Sequence, residues 1–199
     1  MAVEPLASRS EPGFSPSPEP HLTLISGPAG GGKSRWAEHL ASASARPVVY
    51  LATGPLLPLD DSWQQRLERH RLRRPAHWQC REVQGQLARE LLLLDRGQIA
   101  LVDSLGTWVA AWLEATPEAW EQACDDLLAA IAASAAPLLL VCEEVSWGVV
   151  PATAAGGRFR DRLTKLQQAI GRRCDHSWLV LQGRALDLHA LGLPVPAEP

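Results

Sequence analysis

The chain has 199 residues, 46% hydrophobic and 21% charged, with a formal net charge of −3, which suits one soluble domain with a sizeable core. The acidic balance argues against nucleic acid as a partner, and no apolar run approaches the ~20 residues that span a membrane. Four cysteines, Cys80, Cys124, Cys142 and Cys174, lie far apart without CxxC spacing, a pattern of reduced thiols in a cytoplasmic protein.

Residues 1–20 hold five prolines and no hydrophobic centre, so they read as a disordered tail rather than a secretory signal. One domain is expected over residues 21–190, followed by a C-terminal tail over 191–199. Leu22–Ile25 is the first apolar strand. Gly27, Pro28, Ala29, Gly30, Gly31, Gly32, Lys33 and Ser34 follow it and fit G-x-x-x-x-G-K-[ST]. In that pattern backbone N–H groups turn inward onto phosphate oxygens, the lysine reaches the outer phosphates and the serine hydroxyl holds Mg²⁺. A helix over Lys33–Ala43 adds its positive N-terminal end to the same anion site. ATP or GTP is therefore the expected substrate of the loop.

The strand Val48–Ala52 comes next and ends at Thr53 and Gly54. A helix over Ser62–Arg71 carries a basic cluster of Arg66, Arg69, Arg71, Arg73, Arg74 and Arg81 around His70 and His77. Guanidinium groups beside an imidazole disfavour its cationic form, which keeps a histidine nucleophilic, and the same arginines suit a triphosphate and its departing pyrophosphate. A solvated basic helix and a nucleic-acid patch are the competing readings of this cluster. Helices are expected over Val83–Leu94 and Leu105–Glu114, with the strand Ile99–Val102 between them. Asp103 ends that strand, placed either to hold Mg²⁺ beside the phosphate loop or to cap the helix that follows. A helix over Pro117–Ala133 opens on a capping threonine and a proline at its first position. The strand Leu138–Cys142 ends at Glu143 and Glu144, which rival Asp103 for the metal. A helix over Arg158–Ile170 and a strand over Trp178–Leu181 complete the series. Near-continuous apolar strands alternating with helices predict an α/β fold. It is a mostly parallel sheet covered by helices on both faces, of the P-loop NTPase (RecA-like) type, in a single domain.

Together these segments resemble the bifunctional adenosylcobinamide kinase and adenosylcobinamide-phosphate guanylyltransferase family of cobalamin biosynthesis, over roughly His21 to Gly183. "GPAGGGKSRWAE" resembles the family's phosphate loop, "VVYLATG" its second strand and "RLERHRLRRPAHW" its R-[IL]-x-x-H-x-x-x-R-P-x-x-W segment. "LVDSLGTWVAAWL", "EEVSWGVVP" and "RFRD" resemble later segments. The resemblance implies phosphorylation of adenosylcobinamide, then transfer of GMP from GTP to the product through a guanylyl–histidine at His70. It also implies that Ala52, Thr53, Gly54, Arg71, Arg73, Arg74, Glu82 and Asp103 contribute to nucleotide or metal binding, and that the chain forms a homotrimer. The sequence departs from the family pattern at several places. Glu143 stands for asparagine, Ser146 for glycine, and Gly157, Thr164 and Gln167 for arginine, glycine and asparagine. Gly30 and Gly31 stand where arginine and serine are usual. These departures keep open a kinase or nucleotidyltransferase with a changed acceptor, and a nucleotide-sensing module without catalysis.

Overall fold

The computed structural model describes residues 20–55, 65, 68 and 71–196. The tail over 1–19, residues 197–199, and His70, Arg66 and Arg69 lie outside the described residues, as does most of the helix expected over Ser62–Arg71. Positions 65, 68 and 71–73 are helical, so that helix runs past Arg71.

Seven strands form one sheet in the order β3-β2-β4-β5-β1-β6-β7. They are β1 (Leu22–Gly27), β2 (Val48–Ala52), β3 (Gln79–Glu82), β4 (Ile99–Asp103), β5 (Leu138–Glu143), β6 (His176–Leu181) and β7 (Arg184–Asp187). All neighbours pair in parallel except β6 and β7. The helices are α1 (Lys33–Ala43), α2 (Leu87–Leu92), α3 (Leu105–Ala111), α4 (Pro117–Ala133), α5 (Ala154–Gly171) and α6 (Leu188–Leu191).

Side chains of successive strand residues point to opposite faces, and the core divides accordingly. Leu24, Val49, Leu51, Ala100, Val102, Leu138 and Leu140 meet residues of α2, α3, α4 and α5 on one face. Ile25, Val48, Tyr50, Leu101, Leu139 and Val141 meet Ala37 and Ala41 of α1 on the other. Both faces are buried, which is why these strands are apolar throughout rather than alternating.

Two strands escape the sequence reading. β3 is the exposed, polar edge segment QCRE, and β7 is a four-residue antiparallel edge; neither buries enough to need an apolar run. The helix expected over Val83–Leu94 is a short 3₁₀ turn at Gln84–Gln86 followed by α2. α3 ends at Ala111 rather than Glu114. There Arg162 donates to the carbonyls of Trp112, Leu113 and Ala115 at 2.7, 3.2 and 3.1 Å and satisfies the helix end. α5 starts earlier than expected, where the Thr153 hydroxyl accepts from Gly156 N–H at 3.1 Å. The glycines at 156 and 157 hide this start, because glycine is a poor helix former.

Candidate functional site

Because the strands run parallel, their carboxyl ends meet at one edge of the sheet. Gly27 stands opposite Glu143, and Ala52 stands opposite both Glu82 and Asp103. Gly27, at φ +151°, turns the chain out of β1. A Cβ there would come within 2.2 Å of the Val180 carbonyl oxygen, so only glycine fits. Pro28 through Gly32 form the turn, closed by Gly31 N–H donating to Pro28 O at 3.1 Å. Lys33 opens α1, is 7% exposed, and donates from Nζ to Pro28 O at 2.9 Å. The Lys33 side chain thus folds back across its own loop.

Asp103 meets this loop directly. Its Oδ1 accepts from the Ser34 hydroxyl at 3.3 Å, and its Oδ2 accepts from the Tyr50 hydroxyl at 2.6 Å. The helix-cap alternative for Asp103 does not hold, because Ser104 performs that task. The Ser104 hydroxyl accepts from Thr107 N–H, and the Thr107 hydroxyl answers the Ser104 N–H, which is a capping box.

The rival carboxylates are committed elsewhere. Glu143 accepts from the Ser104 hydroxyl at 2.6 Å and from Gly106 N–H at 3.0 Å, holding the start of α3. Gly106 leaves room for this carboxylate: a Cβ there would lie 2.2 Å from Glu143 Oε2 and push the side chain aside. Glu144 accepts from Ser146 N–H at 2.8 Å, from the Ser146 hydroxyl, and from Gln167 Nε2 at 3.3 Å. Two of the departures from the family pattern, Ser146 and Gln167, thus converge on one carboxylate. Glu143→Ala would strand the buried Ser104 hydroxyl and a backbone N–H. It is expected to lower unfolding free energy by about 2 kcal/mol, measured by urea titration. Turnover per folded molecule should stay within about threefold; a collapse of turnover at unchanged stability would return Glu143 to the metal site.

Thr53 is 1% exposed and turned inward. Its hydroxyl donates to Ser104 O at 2.6 Å, accepts from Ser104 N–H at 3.0 Å, and lies 2.6 Å from the Thr107 hydroxyl. The structure therefore places Thr53 under Asp103, bracing residue 104. Ala52 is buried, and its carbonyl accepts from Val83 N–H at 2.8 Å; Gly54 is buried beside it.

The described part of the basic segment is fastened to the domain. Arg73 reaches α1 and pairs with both oxygens of Glu38 at 3.1 and 3.3 Å. The Arg74 guanidinium lies 3.5 Å from the centre of the Tyr50 ring and donates to the Cys80 sulfur at 3.8 Å. Arg71 pairs with Glu82 at 3.8 Å, both well exposed. A pair of that kind contributes little. His77 is exposed in the turn after Pro75.

Tyr50 is the site residue that sequence reasoning missed. It is the chain's one tyrosine, and it lies 1% exposed in an apolar strand. A buried phenol needs a hydrogen-bond partner, and that was the available signal. Burial above all, and then the charge of Asp103, push its hydroxyl well above the usual tyrosine range, so it stays protonated and donates.

Comparison with known proteins identifies the family. Residues 23–188 match the family described as cobinamide kinase / cobinamide phosphate guanyltransferase. The bifunctional adenosylcobalamin biosynthesis protein CobP of Pseudomonas aeruginosa is 34% identical over 178 residues, covering 88% of this chain and 98% of that protein. The corresponding CobU proteins of Salmonella typhimurium and Escherichia coli are 34% and 33% identical, each over 81% of this chain and 96% of its own length. Among solved structures, a type III secretion ATPase of pathogenic bacteria aligns at a TM-score of 0.54 and 10% identity. It matches over 87% of this chain but only 59% of its own. An ATP synthase subunit from Nanoarcheaum equitans aligns at 0.50 and 12% identity, over 87% and 54%. The chain spans less than two thirds of either structure, and at such identity they establish the P-loop NTPase fold alone. Among the described residues no helix is long and apolar enough to cross a membrane. The family match covers the phosphate loop, the basic segment and the strands that carry Asp103 and Glu143, and the chain belongs to the cobinamide kinase / cobinamide phosphate guanyltransferase family.

Proposed function

We propose that the protein phosphorylates adenosylcobinamide with ATP or GTP and then transfers GMP from GTP to the phosphorylated product. The observation that carries this reading is the meeting of Lys33, Ser34 and Asp103 at one loop, in a chain that is 34% identical to bifunctional adenosylcobalamin biosynthesis proteins over most of its length. In the first reaction the acceptor hydroxyl attacks the γ-phosphorus and the nucleoside diphosphate leaves. Backbone N–H groups of the phosphate loop and the Lys33 ammonium would hold the phosphate oxygens in position, which is most of what such a transfer requires.

A Mg²⁺ ion fits the residues present, because the Ser34 hydroxyl and the Asp103 carboxylate offer hard oxygen donors 3.3 Å apart beside the loop. When bound it supplies positive charge against the phosphate oxygens. Ser34 and Asp103 would hold it.

In the second reaction a neutral His70 nitrogen attacks the α-phosphorus of GTP, forming a P–N bond as pyrophosphate departs. An oxygen of adenosylcobinamide phosphate then attacks that phosphorus, the P–N bond breaks, and adenosylcobinamide-GDP is released. Arg71, Arg73 and Arg74 belong to the nucleotide-binding set, with Arg73 and Arg74 holding the described end of the histidine segment against α1 and β2. The remaining assignments follow the family pattern: Ala52, Thr53 and Gly54 at the end of β2, Glu82 at the neighbouring strand end, a homotrimer as the working state, and the cytoplasm as its place.

The reading is tested by incubating the protein with GTP labelled on the α-phosphate, with and without adenosylcobinamide and ATP. Labelled protein alone, which loses its label to a corrinoid product when the acceptor is added, is the expected result. Nucleotide hydrolysis with neither labelled protein nor corrinoid product would replace it with the sensing reading. Phosphorylation or nucleotidylation of other small alcohols but not of adenosylcobinamide would favour a changed acceptor.

A further inference from the structure

Tyr50 takes no direct part in either transfer, yet Asp103 and Arg74 converge on it. It pairs in register with Leu101 of β4. Tyr50 and Leu101 both face α1, and Asp103, two residues beyond Leu101, points the same way by strand alternation. The phenol is long enough to reach this diagonal neighbour, and its hydroxyl meets Asp103 Oδ2 at 2.6 Å. From the other side the Arg74 guanidinium covers the ring at 3.5 Å and fixes its plane.

A carboxylate on a two-bond side chain turns easily about its last torsion, where the energy wells are broad. In Asp103 that rotation decides which oxygen faces Ser34. Anchoring Oδ2 to a buried, immobile hydroxyl leaves Oδ1 turned toward Ser34, 3.3 Å away. We propose that Tyr50 is a positioning residue for Asp103, holding its carboxylate with one oxygen presented to the cation site beside the phosphate loop. The proposal rests on the reading of Asp103 as a cation ligand. Partners that orient a ligating group in this way typically account for 10–100-fold in metal affinity.

The test reads metal binding itself. Mn²⁺ is titrated into the full chain in the presence of a non-hydrolysable ATP analogue, and bound metal is followed by electron paramagnetic resonance. Tyr50→Phe keeps the ring, nearly all its volume and the Arg74 stack, and removes only the hydroxyl. It is expected to weaken Mn²⁺ binding at least about tenfold, while the analogue binds without metal as it does to the wild type. Turnover should recover to within a few-fold at saturating metal, so the loss lies in the metal requirement and not in kcat. In an Asp103→Asn background the same substitution should add nothing, since the two act through one contact. Wild-type Mn²⁺ affinity in Tyr50→Phe would overturn the proposal, as would an equal loss in both backgrounds. A Tyr50→Phe chain that fails to fold would overturn it too, because orienting one carboxylate is not a task on which folding depends. If Asp103→Asn alone binds Mn²⁺ like the wild type, the cation role of Asp103 itself falls and takes the proposal with it. That outcome is distinguishable, because the Tyr50 comparison is made in a background where Asp103 is intact.

Discussion

Lys33→Ala is expected to lower phosphoryl transfer by at least about 10²-fold, because it removes the main positive charge facing the outer phosphates. Lys33 is 7% exposed, and its Nζ donates to the Pro28 carbonyl of its own loop. The folded chain therefore already bears the cost of keeping an ammonium largely out of water. Stability should change little on substitution, since a largely desolvated charge is removed along with its hydrogen bond to the Pro28 carbonyl. Triphosphate affinity should fall with turnover, because the ammonium meets the same oxygens in the ground state. Initial rates with saturating acceptor, together with a melting curve, check both parts. Near-wild-type phosphorylation would remove the loop from the reaction and leave Gly27–Ser34 as a connector.

The contrast between Lys33 and Tyr50 shows what could be read from the chain. Gly27 through Ser34 are legible because phosphate binding by backbone amides dictates residue types at fixed local spacing, and the loop, strand and helix are consecutive. The four central strands β1, β2, β4 and β5 are legible for a related reason: a strand covered on both faces must be apolar along its length. β3 and β7 are edge strands with little to bury, and nothing in QCRE or RALD distinguishes them from turns. The site carboxylates were half legible. Strand-end position marked Asp103, Glu143 and Glu144 alike, and only through-space contacts separate them. Ser104 takes the cap that Asp103 was a candidate for, and Glu143 is spent on that cap. The contacts of Asp103 with Ser34 and of Glu143 with Ser104 and Gly106 join residues 37 to 69 positions apart, beyond the reach of any local pattern. Tyr50 is hidden for the same reason, since its partner lies 53 positions away.

Substitution of His70 separates the two chemistries. Forming a covalent guanylyl adduct demands a nitrogen nucleophile at one position, whereas phosphorylating a hydroxyl demands positioning and charge neutralisation, which the phosphate loop supplies. His70→Ala is therefore expected to abolish the acid-labile, base-stable GMP adduct and with it guanylyl transfer, a loss of at least about 10³-fold, as for removal of other covalent nucleophiles. Phosphorylation of adenosylcobinamide should persist within a few-fold. His77 is the competing nucleophile, seven positions along the same basic segment. It is exposed, and it follows Pro75, whose carbonyl accepts from Trp78 N–H at 3.0 Å to close a turn. Arg73 and Arg74 precede that turn and are tied to Glu38 and Tyr50. Both arginines are thus fastened ahead of the proline, in the part of the segment that carries His70 in sequence. His77→Ala should accordingly keep the adduct at wild-type yield. Mass spectrometry of GTP-treated protein, mapped to the modified peptide, decides between them. GMP on His77 would move the nucleophile past the turn and require the segment to be rebuilt around the nucleotide. No adduct on either histidine under turnover conditions would leave the protein a kinase whose transferase step, if it has one, runs by direct displacement.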